Sequence, residues 1–287
     1  MDIRPDETIA DAIRRAATLL TLSGIDEPLR DSRLLAGAAL GAGQATLIAR
    51  ETTRIGQDAS SVFSRLVRRR MNREPVSRIL GQHGFWKDEL LIAPGVLDPR
   101  ADTETLVEAV LDYVPERLLS TPAILDLGTG SGAILCALLR EFPKAAALGI
   151  DVSPAACALA RRNLERLKLT DRAEIREGGW EDFNEGKWNI IVSNPPYIES
   201  GEISALDPEV RLWDPATALD GGPDGLGAYR SLAPLVSNLL APGGLVFLEV
   251  GFNQSETVPH ILAMAGLLVK EVRRDLGGNP RVVIAAA

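Results

Sequence analysis

The chain has 287 residues, a formal net charge of −8, a hydrophobic fraction of 46% and a charged fraction of 24%. That length allows one large or two modest domains, and the composition is that of an ordinary globular chain. The acidic balance argues against a general affinity for nucleic-acid phosphates. Cys136 and Cys157 fall in apolar helical patterns and read as buried thiols. His83 and His260 lie far apart, so no metal-ligand spacing is visible and no metal is expected. The N-terminal MDIRPDETIA has no apolar core of a signal peptide, and no run reaches membrane-spanning length. A cytoplasmic protein without membrane contact is expected.

Residues 1–74 read as helical. Ile9, Ile13, Ala16, Ala17 and Leu20 mark one face of a first helix. Residues 29–40 give a second, with Pro28 near its first turn, and residues 46–55 a short third. Asp58 is placed to cap a fourth, with Val62, Phe63, Leu66, Val67 and Met71 on its buried face. That helix carries the basic run RLVRRRMNR (65–73), either a solvated face or a surface for an acidic partner. Residues 75–99 hold two β-prone runs around Gly81, Gly84 and a charged turn at Lys87-Asp88, a hairpin linking two domains.

From residue 100 to 287 strands alternate with helices. Strands are expected at 123–127, 146–150, 173–177, 189–193, 245–250, 267–274 and 281–285. Helices fall between them at 103–113, 132–141, 154–167, 226–240 and 256–265. The pattern describes an α/β fold with a seven-stranded, doubly wound, mostly parallel sheet. The loop between the last two strands is too short for a parallel crossover, so those two are antiparallel.

ILDLGTGSGAI (124–134) is a buried strand running into a Gly-rich turn and a helix. Ligands of such sheets bind beyond the carboxyl ends of the strands. Its glycines follow G-x-G-x-G, not the dinucleotide G-x-G-x-x-G, and Asp126 stands before the turn. A carboxylate there repels a pyrophosphate but suits an ammonium or a bound water. Asp151 ends the next strand, where a carboxylate accepts the hydroxyls of a ribose. An adenosine carrying an amino acid and no phosphate fits both, which describes S-adenosylmethionine. Trp180, past the third strand in EGGWEDF, either walls the adenine by stacking or sits in the core.

IVSNPPYIES (191–200) stops the fourth strand with an amide, two prolines and an aromatic ring. Asn194 Oδ1 and the Pro195 carbonyl can each accept one hydrogen of a planar NH₂ group, freeing its lone pair for attack. Pro196 keeps the segment rigid and Tyr197 can stack on the substrate. This is proximity and electrostatic stabilisation without a strong general base, and it suits an amide or an exocyclic amine.

Together with LDPRADTETLVE (97–108), ALDGGPDGL (218–226) and DLGGNPRVV (275–283), these motifs resemble the HemK/PrmC family of N5-glutamine methyltransferases over nearly the whole chain. The resemblance implies a Rossmann-like methyltransferase domain at 100–287, a linking hairpin at 75–99 and a helical substrate-recognition domain at 1–74. It implies S-adenosylmethionine contacts at Asp126, Gly128, Thr129, Gly130, Ser131, Gly132, Asp151, Trp180 and Asn194. It places a glutamine site at Asn194, Pro195, Pro196 and Tyr197, with Asn194, Pro195 and Tyr197 catalytic. The implied substrate is the glutamine in the Gly-Gly-Gln motif of bacterial class I peptide-chain release factors, with no direct nucleic-acid partner. The alternatives are a glutamine of a ribosomal protein and, on the NPPY motif alone, the N6 amine of adenine in nucleic acid. The sequence departs from the family at Gly179, where Asp is frequent before the Trp, and at Ala101, where Pro is frequent.

Overall fold

Ile9, Ala12, Ile13, Ala16 and Leu20 recur at helical spacing, and that face is buried in α1 (Ile9–Leu22). The computed structural model describes residues 2–114 and 121–287, in two units, Met1–Gly81 and Gln82–Ala287. In the first unit α1 opens on Thr8, whose hydroxyl oxygen accepts from the Asp11 amide at 3.1 Å. α2 (Pro28–Leu40) begins on a proline and closes on the left-handed Gly41. α3 (Gln44–Ala49) is shorter than expected. Residues beyond it are drawn out to satisfy the start of α1: the Ile9 and Ala10 amides donate to the Thr53 and Glu51 carbonyls.

α4 (Gln57–Met71) starts from Gly56, and Asp58 lies inside its first turn instead of capping it. Phe63, Leu66 and Val67 join the buried faces of α1 and α2 in one core. Three arginines of this helix are engaged within the unit. Arg68 pairs with Asp2 at 2.7 Å, Arg69 with Glu74, and Arg70 with Asp31 at 2.7 Å in a buried contact. Arg73 donates to the Gly24 carbonyl.

The stretch after Pro75 departs from the expected β character. Residues 76–80 form a helical turn, α5 (Val76–Leu80), closed by left-handed Gly81. The hairpin follows in the second unit as β1 (Gln82–Phe85) and β2 (Asp88–Leu91), with Phe85 opposite Asp88. Its turn is Trp86-Lys87, one residue earlier than expected. Trp86 adopts φ 55°, held there because its backbone amide donates to Glu104 at 2.7 Å and its indole N–H to Glu141 at 2.8 Å.

The described residues of the second unit build a seven-stranded sheet. Its strands are β3 (Ala123–Leu127), β4 (Ala146–Asp151), β5 (Ala173–Glu177), β6 (Trp188–Ser193), β7 (Leu240–Glu249), β8 (Leu268–Arg274) and β9 (Pro280–Ala286). The order is β5-β4-β3-β6-β7-β9-β8. β3 to β7 are parallel, and β9 runs antiparallel to both β7 and β8, the arrangement that the short 275–280 loop requires. The helices are α6 (Glu104–Tyr113), α7 (Ala133–Glu141), α8 (Pro154–Arg166), α9 (Pro208–Arg211), α10 (Gly227–Leu239) and α11 (Thr257–Met264).

Strand alternation divides the core. Ile124, Ile190, Val192, Val282 and Ile284 pack with α6 and α7 on one face. Leu125, Leu127, Ile191, Val246 and Val283 pack with α10 and α11 on the other. Each fully buried aliphatic side chain contributes roughly 1.5–3 kcal/mol. Cys136 and Cys157 are buried and unbridged. No helix of the described residues is long and apolar enough to cross a membrane.

The chain leaves β3 toward β4 on one side and reaches β6 on the other. Between β3 and β6 the strand order reverses, and the carboxyl ends of these strands are where an α/β sheet opens a crevice.

Candidate active site

The turn after β3 is shaped by its own backbone. Gly128, Gly130 and Gly132 have φ of 77°, 56° and 78°, angles that cost little only for glycine. At Gly128 a side chain would also meet Trp180, whose ring lies 3.3 Å from where a Cβ would stand. The amides of Gly128 and Thr129 donate to the Ile150 carbonyl, and that of Gly132 to the Thr129 carbonyl. The Gly130 amide donates to Asp151 Oδ2 at 2.8 Å. These donors are spent inside the protein, so the loop is not a phosphate cradle of free N–H groups.

Asp126 lies beneath the loop, fully buried. Its Oδ2 accepts from the Thr129 hydroxyl at 2.6 Å, and its Oδ1 has no hydrogen-bond partner. Burial pushes its carboxyl up to about 7, against the lowering effect of that hydrogen bond. Asp151, at the end of β4, grips two loops at once. Besides Gly130, it accepts from the Ser153 amide at 2.8 Å. Ser153 in turn caps α8.

A cleft of about 360 Å³ lies over this end of the sheet, lined by Gly128, Gly130, Asp151, Trp180, Asn194 and Pro196 among others. Trp180 is part of its wall, and its indole N–H is anchored on Ser231 Oγ at 3.0 Å. Asp126, Thr129, Ser131 and Gly132 do not line it. They form the layer that shapes the loop from behind, with Ser131 held through its carbonyl by Asn163 at 2.9 Å.

A second cavity of about 190 Å³ is lined by Arg100, Tyr197, Ile198, Leu206, Val210 and Glu249. Leu97, Asn194 and Ala218 line both cavities, so the two adjoin along these residues. Pro195 is buried and lines neither. Tyr197 is largely buried, with its hydroxyl 3.4 Å from Glu249 Oε1. Burial and the nearby Glu249 carboxyl raise the phenol well above its ordinary range.

The segment 194–198 is braced by residues that sequence reasoning missed. The Ile198 amide donates to the Leu219 carbonyl, and the Gly221 amide to the Ile198 carbonyl. Gln254 Nε2 bridges the Tyr197 and Gly225 carbonyls, 3.1 Å from each. Asn194 Nδ2 donates to Thr103 Oγ1 at 3.1 Å. Glu249, at the end of β7, is fully buried and meets the Tyr197 hydroxyl, with its Oε2 left without a hydrogen-bond partner. Its one sequence signal is a lone carboxylate in the apolar run LVFLEV. Arg100 pairs with the buried Asp214 at the rim of the second cavity.

Known proteins resemble this chain over most of its length. The PrmC N-terminal domain family matches residues 11–81, and the methyltransferase small domain family matches residues 100–208. A release factor glutamine methyltransferase of Rhodospirillum rubrum is 45% identical over 274 residues, covering 94% of this chain and 82% of that one. The protein of the same description from Caulobacter vibrioides is 41% identical, covering 96% of each. The one from Moorella thermoacetica is 35% identical, covering 97% of this chain and 98% of its own. With this identity running through both the helical unit and the sheet that carries the two joined cavities, the chain belongs to the release factor glutamine methyltransferase family.

Proposed function

We propose that the protein transfers the methyl group of S-adenosylmethionine to the side-chain amide nitrogen of a glutamine, the one in the Gly-Gly-Gln motif of class I peptide-chain release factors, in the cytoplasm. The observation that carries this reading is that two cavities adjoin along Leu97, Asn194 and Ala218. One is of cofactor size; the other is narrower and walled by Tyr197 and aliphatic side chains. The residues of the first fit S-adenosylmethionine. Asp151 would accept the ribose hydroxyls, Trp180 would wall the adenine, and the spent loop amides favour a ligand without phosphate. When bound, it would supply a methyl carbon on a sulfonium: the amide nitrogen bonds to that carbon as the carbon–sulfur bond breaks, the sulfur leaves as a neutral thioether, and the nitrogen gives up one N–H proton to solvent.

The protein's own contribution is placement. A glutamine amide has two N–H hydrogens, and Asn194 Oδ1 and the Pro195 carbonyl are the acceptors proposed for them. Holding both hydrogens away from the cofactor cavity leaves the nitrogen lone pair facing it. Pro195 and Pro196 keep that carbonyl from rotating, Tyr197 covers the flat face of the amide, and the aliphatic wall keeps water out.

The test is incubation with labelled S-adenosylmethionine and, in parallel, a purified class I release factor, ribosomal proteins and duplex DNA. Mass spectrometry is expected to find one added methyl group on the release-factor glutamine. Methyl on a ribosomal-protein glutamine instead would move the substrate within the class. Methyl on adenine, or none, would overturn the reading.

A further inference from the structure

Arg100 is the one cation among the described residues that line the second cavity, and the placement mechanism above leaves it without a task. Given the glutamine site proposed there, on which the inference rests, we propose that Arg100 is a substrate-binding residue: its guanidinium donates to a main-chain carbonyl of the release factor beside the methylated glutamine.

The guanidinium is anchored at the rim. Its Nη2 donates to Asp214 Oδ2, and the Asp214 side chain is 1% exposed. Asp214 follows α9, and its own amide donates to the Val210 carbonyl at 2.9 Å. Val210 is part of the cavity wall. The Asp98 amide makes a longer contact, 3.4 Å, with Asp214 Oδ1. The Arg100 carbonyl accepts from the Thr103 amide at 3.1 Å, so the arginine is held by both its backbone and its side chain. A guanidinium carries five N–H donors. With its side chain 44% exposed, Arg100 keeps donors open at the cavity mouth beyond the one spent on Asp214.

The chemistry of the cavity selects what those donors take. The other polar side chains of its wall are Asn194, Tyr197 and Glu249. Asn194 Nδ2 already donates to Thr103 Oγ1, and the Tyr197 hydroxyl faces Glu249. Arg100 is therefore the strong donor that meets an incoming acceptor. A glutamine in a peptide brings two kinds of carbonyl. Donation to the side-chain carbonyl would draw the nitrogen lone pair into the amide and slow its attack on the methyl group. Donation to the main chain carries no such cost. The glycines before the glutamine have no side chains to keep a guanidinium from a backbone oxygen. Asp214 also offsets the charge of Arg100, so the donor adds no net positive charge near a sulfonium.

The experiment is steady-state methylation of the intact release factor at saturating cofactor, with cofactor affinity measured by calorimetry. No transfer by the wild type rejects the functional reading, and this inference with it. Given transfer, Arg100→Met is expected to raise the release-factor KM by about tenfold or more, as loss of a charge-assisted hydrogen bond does. Its kcat and cofactor affinity should stay within about twofold of the wild type. Arg100→Lys, which keeps the charge and loses the fork, should fall between the two. Arg100→Met also leaves Asp214 buried without its cation, and the double variant Arg100→Met with Asp214→Asn separates the two roles. Its KM is expected to stay raised, because the donor to the substrate is still missing. A double variant with the wild-type KM shows that Arg100 serves only to offset Asp214, and overturns the proposal. An Arg100→Met protein with unchanged KM overturns it too, as does one whose loss falls on kcat instead. Should Arg100→Met alone fail to fold, the double variant decides by the same criteria.

Discussion

Two carboxylates in this fold are kept at a cost. Asp126 and Glu249 are both fully buried, each has one oxygen without a partner, and burial raises each to about 7. In the unfolded chain they ionise near their ordinary values of 3.8 and 4.5. Between those values and about 7 the folded protein holds protons that the unfolded chain has released, so stability falls as pH rises through that window. Below it there is no penalty, and above it the penalty is complete. Asp126→Asn removes one of the two ionisations and keeps an oxygen for the Thr129 hydroxyl. Chemical denaturation at pH 5.5 and 8.5 should show the variant gaining on the wild type at the higher pH, by on the order of 1.4 kcal/mol for each pH unit between 5.5 and about 7. A gap that does not change with pH would mean that Asp126 is ionised as easily in the fold as out of it.

At the scale of elements, the segment 194–198 is a short strand exit held by a second loop. The 218–226 loop lies against it so closely that a Cβ at Gly225 would stand 2.5 Å from the Tyr197 carbonyl oxygen, at a φ of 69° that also excludes most side chains. Gly225→Ala must therefore displace the Tyr197 backbone or the Gln254 bridge. Cofactor binding is expected to survive, because Gly225 does not line the first cavity. Methyl transfer should fall by about tenfold or more, as misplacement of a positioning group does. Equal loss of both would show that the loop supports the cleft as a whole. The strands and long helices were legible in the sequence because their apolar residues repeat with period two or near four. The motifs 126–132 and 194–197 were legible because glycine and proline mark turns directly. The contact between Asn194 and Thr103 and the Gln254 brace were not. Thr103 lies 91 residues from Asn194, and Gln254 57 from Tyr197, and no local pattern joins such partners. Residues 76–80 were misjudged because five residues are too few for a period, and the helical turn is fixed by Gly81 at its end.

At the scale of the whole molecule, the residues lining the cofactor-sized cleft all belong to the unit Gln82–Ala287. So do all four tryptophans, Trp86, Trp180, Trp188 and Trp213. Tryptophan fluorescence therefore reports on the sheet, while the helical unit must be followed by its backbone dichroism. The arginine run 65–73 now divides. Arg68 makes an exposed pair with Asp2, and exposed pairs contribute little. Arg70 meets Asp31 in a pair that is about nine-tenths buried on both sides. Arg70→Ala leaves that carboxylate buried without its cation, which costs about 3–5 kcal/mol, a large share of a domain's usual 5–15 kcal/mol. The helical dichroism of Arg70→Ala should melt well below the wild type, and Arg68→Ala should match the wild type. At a temperature between the two melts, S-adenosylmethionine titrated against the Trp180 signal should bind Arg70→Ala within about twofold of the wild type, since no lining residue has been touched. Methylation of the intact release factor at that temperature should be lost, as the helical unit is the proposed recognition element. Cofactor affinity falling in step with the dichroism would show that the sheet depends on the helical unit for its own fold, and that recognition and chemistry are not divided between the two.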